Sequence, residues 1–178
     1  MQQLPEIIEI LPDVRLEKIA QQHASAMFAQ IDRHRDYLAN YVDWTRFNTQ
    51  LVDSQNFVKK CQEEIERGET FTWAICVKGK AAGTISFNKP IDWQARTALI
   101  GYWLSPDAQG KGIVTQSVNA LIAATENHFS HYILRCAVHN QRSNQVAQRC
   151  GFAFVERVEN AEKIGDKLYA QNVYRRSV

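Results

Sequence analysis

The chain has 178 residues, 45% of them hydrophobic, which is typical of a globular protein with a sizeable core. It carries 21 Lys and Arg against 19 Asp and Glu, so the formal net charge is only +2, and no five like charges occur in a row. This balance does not indicate a nucleic-acid-binding protein or a polybasic membrane anchor. A small molecule or a peptide is the favoured partner.

The cysteines and histidines suggest neither a disulfide framework nor a metal centre. The four cysteines form no Cys-x-x-Cys pair and follow no secretory leader, so reduced thiols in a cytoplasmic protein are expected. No apolar stretch approaches the roughly 20 residues of a membrane span, so a soluble protein is expected. His128 and His131 have a helical spacing, but the segment changes there from helix to strand and offers no third ligand.

The first third of the chain predicts one strand followed by helices. Prolines interrupt the N-terminal segment, so the first strand is expected only at residues 14–20. Apolar residues then recur at three- and four-residue spacing over residues 21–33, which predicts an amphipathic helix with a second short one shortly after it. Asp53 or Ser54 is the expected N-cap of a further helix that ends at Gly68.

The rest of the chain alternates strands and helices. Strands are expected at residues 71–78, 82–88, 96–104, 132–138, 152–159 and 167–175, and helices at residues 115–128 and 143–150. A hairpin with Gly79 in its turn joins the first two of these strands. Antiparallel strands thus stand on both sides of a β-α-β-α-β passage, which predicts one mixed sheet with helices on both faces. No linker or repeat divides the chain, so residues 1–178 are expected to form one domain.

The stretch from Gly101 to Gln116 combines the end of an apolar strand, a loop containing Pro and Gly, and the start of a helix. Such a loop directs unpaired backbone N–H groups and the positive end of a helix dipole at one spot, which suits a phosphate. It is not a P-loop, because Gly112 rather than Ser or Thr follows Lys111. It is not a dinucleotide fingerprint, because Thr115 stands where Gly is required. A pyrophosphate site is the favoured interpretation, with an ordinary capped turn as the alternative.

The pattern Gln109-x-x-Gly112-x-Val114 after a strand resembles the acetyl-CoA loop of the GCN5-related N-acetyltransferase (GNAT) superfamily. That loop has Gln or Arg, two residues, Gly, one residue, and Gly or Ala. Val114 departs from it, and a larger side chain is tolerable there if it points into the core. The resemblance implies that backbone N–H groups bind the pyrophosphate of coenzyme A and that the glycines allow close approach. The implied cofactor-binding residues are Gln109, Gly110, Lys111, Gly112, Ile113, Val114 and Thr115.

A second segment runs from Asn140 to Phe152. It resembles the family pattern of an Asn leaving a strand, a Ser three residues later at a helix start, and Gly-Phe at the helix end. The resemblance implies that Asn140 and Ser143 lie beside the pantetheine arm. From the residues alone, the alternative is that Ser143 is only a helix N-cap and Gly151 only a C-cap. Backbone hydrogen bonds to pantetheine are further implied for Tyr102, Trp103 and Leu104.

With the Asn-Ala-Glu segment at residues 160–162, these motifs resemble the branch of the superfamily that acetylates the N-termini of ribosomal proteins. The resemblance implies an α/β (α+β) single-domain GNAT fold with a mixed, mostly antiparallel, twisted sheet of about seven strands. It implies acetyl-CoA as co-substrate, no metal, and a protein N-terminus as acceptor. A small amine such as a polyamine or an antibiotic, and a non-catalytic acyl-CoA-binding sensor, stay open as alternatives. Related enzymes are often dimers, so a homodimer is expected by analogy.

Acetyl transfer to an amine needs a neutral nucleophile, an oxyanion donor and a proton for the leaving thiolate. An α-amino group has a pKa of about 7.7 to 8.0 against about 10.4 for Lys. More of it is therefore neutral near pH 7, and N-terminal acetylation depends less on a catalytic base. By the resemblance, Glu162 matches the general base and Ser143 the acid that protonates the thiolate. The alternatives are that Glu162 is a solvated residue near a hairpin turn and that Ser143 only contacts the cofactor.

The early part of the chain is rich in aromatic residues. Most of them are expected in the core, and some could line a peptide groove opposite the cofactor. They are Tyr37, Tyr41, Trp44, Phe47, Phe71 and Trp73.

Overall fold

The computed structural model describes residues 3–178 as one mixed sheet covered by helices. The strands are β1 (Ile7–Leu11), β2 (Val14–Lys18), β3 (Phe71–Val77), β4 (Lys80–Asp92), β5 (Thr97–Leu104), β6 (His131–Ala137), β7 (Ala153–Ile164) and β8 (Lys167–Ser177). The α-helices are α1 (Ala24–Arg33), α2 (Arg35–Leu38), α3 (Leu51–Glu66), α4 (Ile113–Thr125) and α5 (Gln141–Arg149), and short 3-10 helices span Gln21–His23, Asp43–Arg46 and Pro106–Ala108. The predicted α/β class is confirmed, with eight strands rather than about seven.

The additional strand is β1, which the sequence interpretation treated as an irregular lead-in. That interpretation was wrong, because Pro12 and Asp13 form the turn of a hairpin between β1 and β2 instead of interrupting a strand. Leu11 pairs directly with Val14 across this turn. Proline is accepted there because its missing N–H and fixed φ suit a turn at the end of a strand.

The strand order is β1-β2-β3-β4-β5-β6-β8-β7, and every neighbouring pair is antiparallel except β5 and β6. The parallel pair is joined by α4, as parallel neighbours require a crossover. Pairing between β5 and β6 ends at Ile100 and Leu134, although both strands continue, to Leu104 and Ala137. The sheet therefore splays open between the carboxyl ends of its two central strands.

Helices cover both faces of the sheet, as predicted. On one face α4 and α5 pack on a core that contains Trp73, Phe87 and Ile100. On the other face α1 and α3 pack on a second cluster that includes Trp103. Among residues 3–178, none of the helices combines the length and the apolar character needed to cross a membrane.

Two helix starts differ from the sequence expectation. Helix α3 begins at Leu51 with Gln50 as N-cap, because Asp53 lies in the first turn and its Oδ2 accepts the backbone N–H of Gln50 at 2.9 Å. Helix α5 is capped by Asn140, not by Ser143, and the Asn140 side chain accepts the backbone N–H of Ser143 at 3.3 Å. Both Asp53 and Ser143 take part in a cap, but from the first turn of the helix: the Asp53 carboxylate accepts a backbone N–H, and Ser143 donates its own.

Candidate active site

A cavity of about 410 Å³ opens where β5 and β6 diverge. Its walls come from the splayed strand ends, the first turn of α5, the segment from α2 to the following 3-10 helix, and the hairpin of β7 and β8. Such a volume is within the range of small-molecule sites. The cavity therefore forms where two strands of the sheet diverge, and not between surface loops.

Seven of the residues expected to bind the cofactor line this cavity: Tyr102, Trp103, Leu104, Gln109, Val114, Asn140 and Ser143. The other loop residues are outside its lining: Gly110, Lys111 and Gly112 are exposed, Thr115 is half-buried, and the Ile113 side chain is buried in the core. The structure thus brings the two predicted segments to one place and leaves the middle of the loop facing solvent. A ligand seated in the cavity could reach that part of the loop only through its backbone.

The loop has the geometry of an anion site. Gly110 and Gly112 have φ of 80° and 72°, and a Cβ added to either would meet nothing within 4 Å. Gly112 is the N-cap of α4, whose first turn has no side-chain cap and no acidic residue. Val114 packs against the core while also lining the cavity, so its larger side chain is accommodated. Backbone N–H groups and the helix dipole are therefore left for a phosphate.

The Gln109 side chain braces the loop from three directions. Its Oε1 accepts a hydrogen bond from the Tyr37 hydroxyl at 3.1 Å and another from Arg142 Nη1, and its Nε2 donates to the Leu104 carbonyl at 3.0 Å. Tyr37 lies on α2, Leu104 ends β5, and Arg142 lies on α5. The motif residue therefore holds the loop in place with its side chain, and Arg142 joins the site without having been predicted.

Ser143 belongs to a short chain of hydrogen-bonded side chains near the point where β5 and β6 diverge. Its Oγ lies 2.6 Å from the Tyr102 hydroxyl and donates to Cys136 Sγ at 3.2 Å, so Tyr102 is the donor in the first contact. Burial raises the pKa of Tyr102. Burial also raises the pKa of the Cys136 thiol, with a smaller contribution in the same direction from the charge of Glu162. Both groups stay protonated at neutral pH, and the sequence interpretation had assigned neither side chain to the site.

Glu162 also lines the cavity, from β7. It is half-buried and its Oε2 accepts a hydrogen bond from Gln171 Nε2 at 3.0 Å. The register of β7 shifts between Val158 and Glu162, where Asn160 has a φ of 51°. Such a bulge changes which face of the strand a side chain points to. Glu162 is thus a cavity residue rather than part of the turn that follows it.

The hairpin that carries Glu162 is fixed to the other wall of the cavity. The backbone N–H of Gly165 donates to Asp43 Oδ1 at 2.9 Å, and Arg46 Nε lies 3.2 Å from the same oxygen. Gly165 has a φ of 63°, which favours glycine, and a Cβ there would displace the Arg46 guanidinium. The contact holds the β7–β8 turn against the 3-10 helix that precedes α3.

The aromatic residues divide between core and cavity. Trp44 and Phe57 stack with ring centroids 5.6 Å apart and an interplanar angle of 7°, and Trp103 meets Trp44 edge-on at 5.8 Å. Of the six early aromatic residues, Tyr37, Tyr41 and Trp44 line the cavity, Phe71 and Trp73 are buried in the core, and Phe47 is 74% exposed. The expectation that some of them form a groove is consistent with this placement, and Phe57 is an addition to it.

A polar face of β4 completes the cavity and was missed from the sequence. Thr84, Ser86 and Asn88 line it, whereas Ile85 and Phe87 between them are buried in the core. The signal was present as polar residues at every second position of an otherwise apolar strand. Such alternation is usually attributed to solvent exposure, and only the position of α3 and the Trp44 segment shows that it faces a ligand site.

One other group of polar side chains has the spacing of metal ligands within residues 3–178: Glu17, His23 and Cys76. His23 Nδ1 accepts the backbone N–H of Ala20 at 3.0 Å, so Nε2 carries the proton and faces Glu17 Oε2 at 3.7 Å. Burial raises the pKa of Cys76 to about 12, which keeps it a thiol. Cys76 Sγ donates to Glu17 Oε2 at 3.6 Å, so Glu17 contacts both of the other side chains directly.

Comparison with known proteins agrees with this geometry. A ribosomal-protein-serine acetyltransferase of Escherichia coli (strain K12) is 30% identical over 177 residues, which cover 98% of each chain. The microcin C7 self-immunity acetyltransferase MccE, solved with acetyl-CoA and AMP, superposes with a TM-score of 0.93 at 31% identity, covering 98% of this chain and 97% of that one. RimL, a ribosomal α-N-protein acetyltransferase solved with coenzyme A, gives 0.92 at 28% identity, with 97% and 98% covered.

The splay between β5 and β6 and the uncapped start of α4 fit the coenzyme A ligands of the solved relatives, which are acetyl-CoA in MccE and coenzyme A in RimL. The family model for the acetyltransferase (GNAT) domain matches residues 13–153, most of the chain. The chain therefore belongs to the GNAT acetyltransferase family and is an acetyl-CoA-dependent N-acetyltransferase.

Proposed function

We propose that this enzyme acetylates the α-amino group of a protein N-terminus in the cytoplasm, as one domain. The observation that carries the proposal is that Glu162 and Ser143 line one cavity from two different walls. This supports a base and a proton donor that act on one ligand in the space that opens between β5 and β6. The amine and the thioester would meet in that space.

Glu162 acts as the general base and Ser143 as the proton donor in this proposal. Acetyl-CoA supplies an acetyl group activated as a thioester. As the amine nitrogen bonds to the acetyl carbon and the carbon–sulfur bond breaks, Glu162 takes one proton from the nitrogen, directly or through a water. Ser143 gives its proton to the departing sulfur and takes one from Tyr102, which donates to it at 2.6 Å. Tyr102, whose pKa is raised by burial, regains its proton from water as Glu162 releases the proton taken from the nitrogen, so the products are the amide and the coenzyme A thiol. A thiolate is a fairly good leaving group, so the base should contribute more than the acid.

The acceptor assignment has two supports. The E. coli relative and RimL, which match almost the whole chain, are described as a ribosomal-protein-serine acetyltransferase and a ribosomal α-N-protein acetyltransferase. In this chain, Thr84, Ser86 and Asn88 give one wall of the cavity hydrogen-bonding groups on a strand. An extended peptide presents N–H and C=O groups that such a wall can pair.

A second acceptor class, an amine linked to a nucleotide, is favoured by one feature. Trp44 and Phe57 present nearly parallel rings at the cavity, and planar bases bind to such rings by stacking. The MccE structure contains AMP together with acetyl-CoA. This candidate is a form of the small antibiotic-like amine that the sequence left open.

The test is a panel of acceptors assayed by thiol release from acetyl-CoA. The panel contains Ser-initiated peptides, polyamines, aminoglycosides and an aminoacyl-nucleotide analogue. We expect the peptides to give the highest kcat/KM. Preference for the nucleotide analogue would make the second candidate the function, and no release with any amine would contradict both.

Trp44→Ala separates the two acceptor classes further. It should lower kcat/KM for the nucleotide analogue about tenfold or more, since base–aromatic stacking contributes roughly 1–3 kcal/mol, and affect the peptides less. Phe47→Ala is the matched control, because Phe47 is a nearby aromatic that is exposed and does not line the cavity. An equal loss with both acceptor classes would mean that Trp44 serves only to shape the cavity.

We also propose that two chains pair through β7. This strand lies at the edge of the sheet, and Phe154 and Val155 on it are 59% and 54% exposed. Long apolar edge strands are usually covered, and a two-fold pairing covers both copies at once. Light scattering should give the mass of a dimer, and Val155→Lys a monomer, whereas Val52→Lys on the exposed side of α3 should leave the dimer intact. A monomeric wild-type chain would remove this proposal.

A further inference from the structure

Arg142 spans the opening between the two central strands. It lies in the first turn of α5, which follows β6, and its Nη1 donates to the side chain of Gln109, which begins the loop after β5. Arg142 is exposed and lines the cavity. A ligand that runs from the cavity to the loop must therefore pass beside its guanidinium.

The charges around the cavity point to a role for that guanidinium. Three charged side chains line it: Arg135, Arg142 and Glu162. Arg135 is on β6 and Glu162 on β7, whereas Arg142 contacts the loop itself. The loop offers backbone N–H groups and a helix dipole, and Lys111 is outside the cavity lining. Arg142 is thus a cation that the fold holds beside the proposed phosphate site, on α5 and hydrogen-bonded to the residue that begins the loop.

We propose that Arg142 is a further cofactor-binding residue, which pairs with the pyrophosphate of acetyl-CoA from α5 while the loop amides bind it from the other side. The assignment rests on the loop being the pyrophosphate site. A guanidinium is suited to this task because its planar set of donors matches phosphate oxygens.

If Arg142 turned to a phosphate, the polar atoms of the Gln109 side chain would still have hydrogen-bond partners. Gln109 Oε1 also accepts a hydrogen bond from the Tyr37 hydroxyl, and its Nε2 is held by the Leu104 carbonyl. The guanidinium carries five N–H donors, so Arg142 can turn to a phosphate or bond to both partners. The loop would therefore keep its position when Arg142 engages the ligand.

The alternative explanation is that Arg142 only connects α5 to the loop and has no contact with the ligand. The two roles differ in which ligands they affect. A contact that only shapes the cavity would strengthen the binding of every acyl donor, with or without phosphates. A pyrophosphate contact would support only donors that carry the pyrophosphate.

The experiment measures binding of acetyl-CoA and 3′-dephospho-acetyl-CoA by calorimetry, and of S-acetylpantetheine by competition, without any acceptor. Arg142→Gln should raise the Kd of both phosphate-bearing donors about tenfold or more, since it removes a charge-assisted hydrogen bond to phosphate, and should leave S-acetylpantetheine unaffected. Arg142→Lys should fall between, because it keeps the charge but loses the planar fork.

Arg149→Gln is the matched control, as Arg149 is an exposed arginine on the same helix that does not line the cavity. Its Kd values should stay within about twofold of the wild type. An equal loss for all three donors, or no loss for acetyl-CoA, would overturn the proposal. A loss confined to acetyl-CoA would assign the contact to the 3′-phosphate and overturn the pyrophosphate assignment. Because no acceptor is used, failure here leaves the proposed acceptor untouched.

Discussion

The cofactor side and the acceptor side of the cavity are built in different ways. The side proposed for the cofactor comes from two short stretches, the end of β5 with its loop and the start of α5, and its loop offers backbone N–H groups at the uncapped start of α4. The acceptor side is assembled from β4, the Trp44 segment, α3 and the β7–β8 hairpin, and it presents side chains. Backbone recognition tolerates sequence change, whereas side-chain recognition does not.

This difference explains how similar folds serve different acceptors. MccE and RimL both superpose on almost all of this chain at about 30% identity, although their names describe different biological roles. A shared loop geometry needs only a few residues such as Gly112. The acceptor wall can change residue by residue without disturbing the splay of the sheet. The comparison between the two sides can be tested with substitutions that damage only one of them.

Glu162→Gln should have the largest effect and should damage only catalysis. We expect kcat to fall about 100-fold at pH 7, within the range for loss of a general base, with acetyl-CoA binding unchanged. The loss should shrink as the pH rises above the pKa of the acceptor amine, because the nucleophile is then neutral without help. The measurement is a pH profile of kcat against a peptide acceptor.

The control for this prediction is Glu159→Gln on the same strand. Glu159 is exposed and paired with Arg157 at 2.6 Å, and it does not line the cavity. Its pH profile should match that of the wild type. If Glu162→Gln had an unaltered profile, another group or bulk water would be the base.

Gly112→Val should damage only the cofactor side. A β-branched residue at a φ of 72° is strained, at a cost of roughly 1–2 kcal/mol, and it would distort the loop amides. The Kd of acetyl-CoA should rise about tenfold or more by calorimetry, while Km for the acceptor changes little. Gly79→Val is matched in strain, since Gly79 has a φ of 78° in a hairpin turn away from the cavity. It should lower stability without changing binding, and unchanged binding in Gly112→Val would remove the pyrophosphate assignment.

Ser143→Ala and Tyr102→Phe should have the smallest effects. They remove the hydrogen-bonded pair of hydroxyls, which belongs to both the cofactor side and the acceptor side of the cavity. Each should lower kcat by about tenfold or less, since the thiolate needs little help to leave. If the two hydroxyls act as one chain, the double variant should lose no more than the larger single loss. Losses that simply multiply would show that the 2.6 Å contact has no role in proton transfer.

Much of the cofactor side could be predicted from the sequence because its determinants are local. The loop pattern around Gly112 and the Asn140 to Ser143 spacing lie on consecutive residues, and their backbone geometry follows from glycine and from capping. The structure corrected details at this level, such as Asn140 rather than Ser143 as the N-cap. It also showed Gln109 bracing the loop with its side chain.

The acceptor side could not be predicted in the same way, because no local pattern says what a side chain will face. Thr84, Ser86 and Asn88 read as an ordinary polar face of a strand until α3 is placed over them. Arg142 had no predicted role, and it lines the cavity only because β5 and β6 diverge. Glu162 depends on a bulge in β7 and on the contact of Gly165 with Asp43, 122 residues earlier.

The sequence by itself indicated the family through its motifs, and it determined the order of elements from β2 onward and the loop after β5, since these depend on periodicity and on residues with unusual backbone freedom. Only the tertiary structure decided that two parallel strands separate beyond Ile100 and Leu134, and which distant side chains meet there. The physical reason is that backbone conformation is set by near neighbours along the chain, whereas a cavity is set by the packing of segments far apart in it.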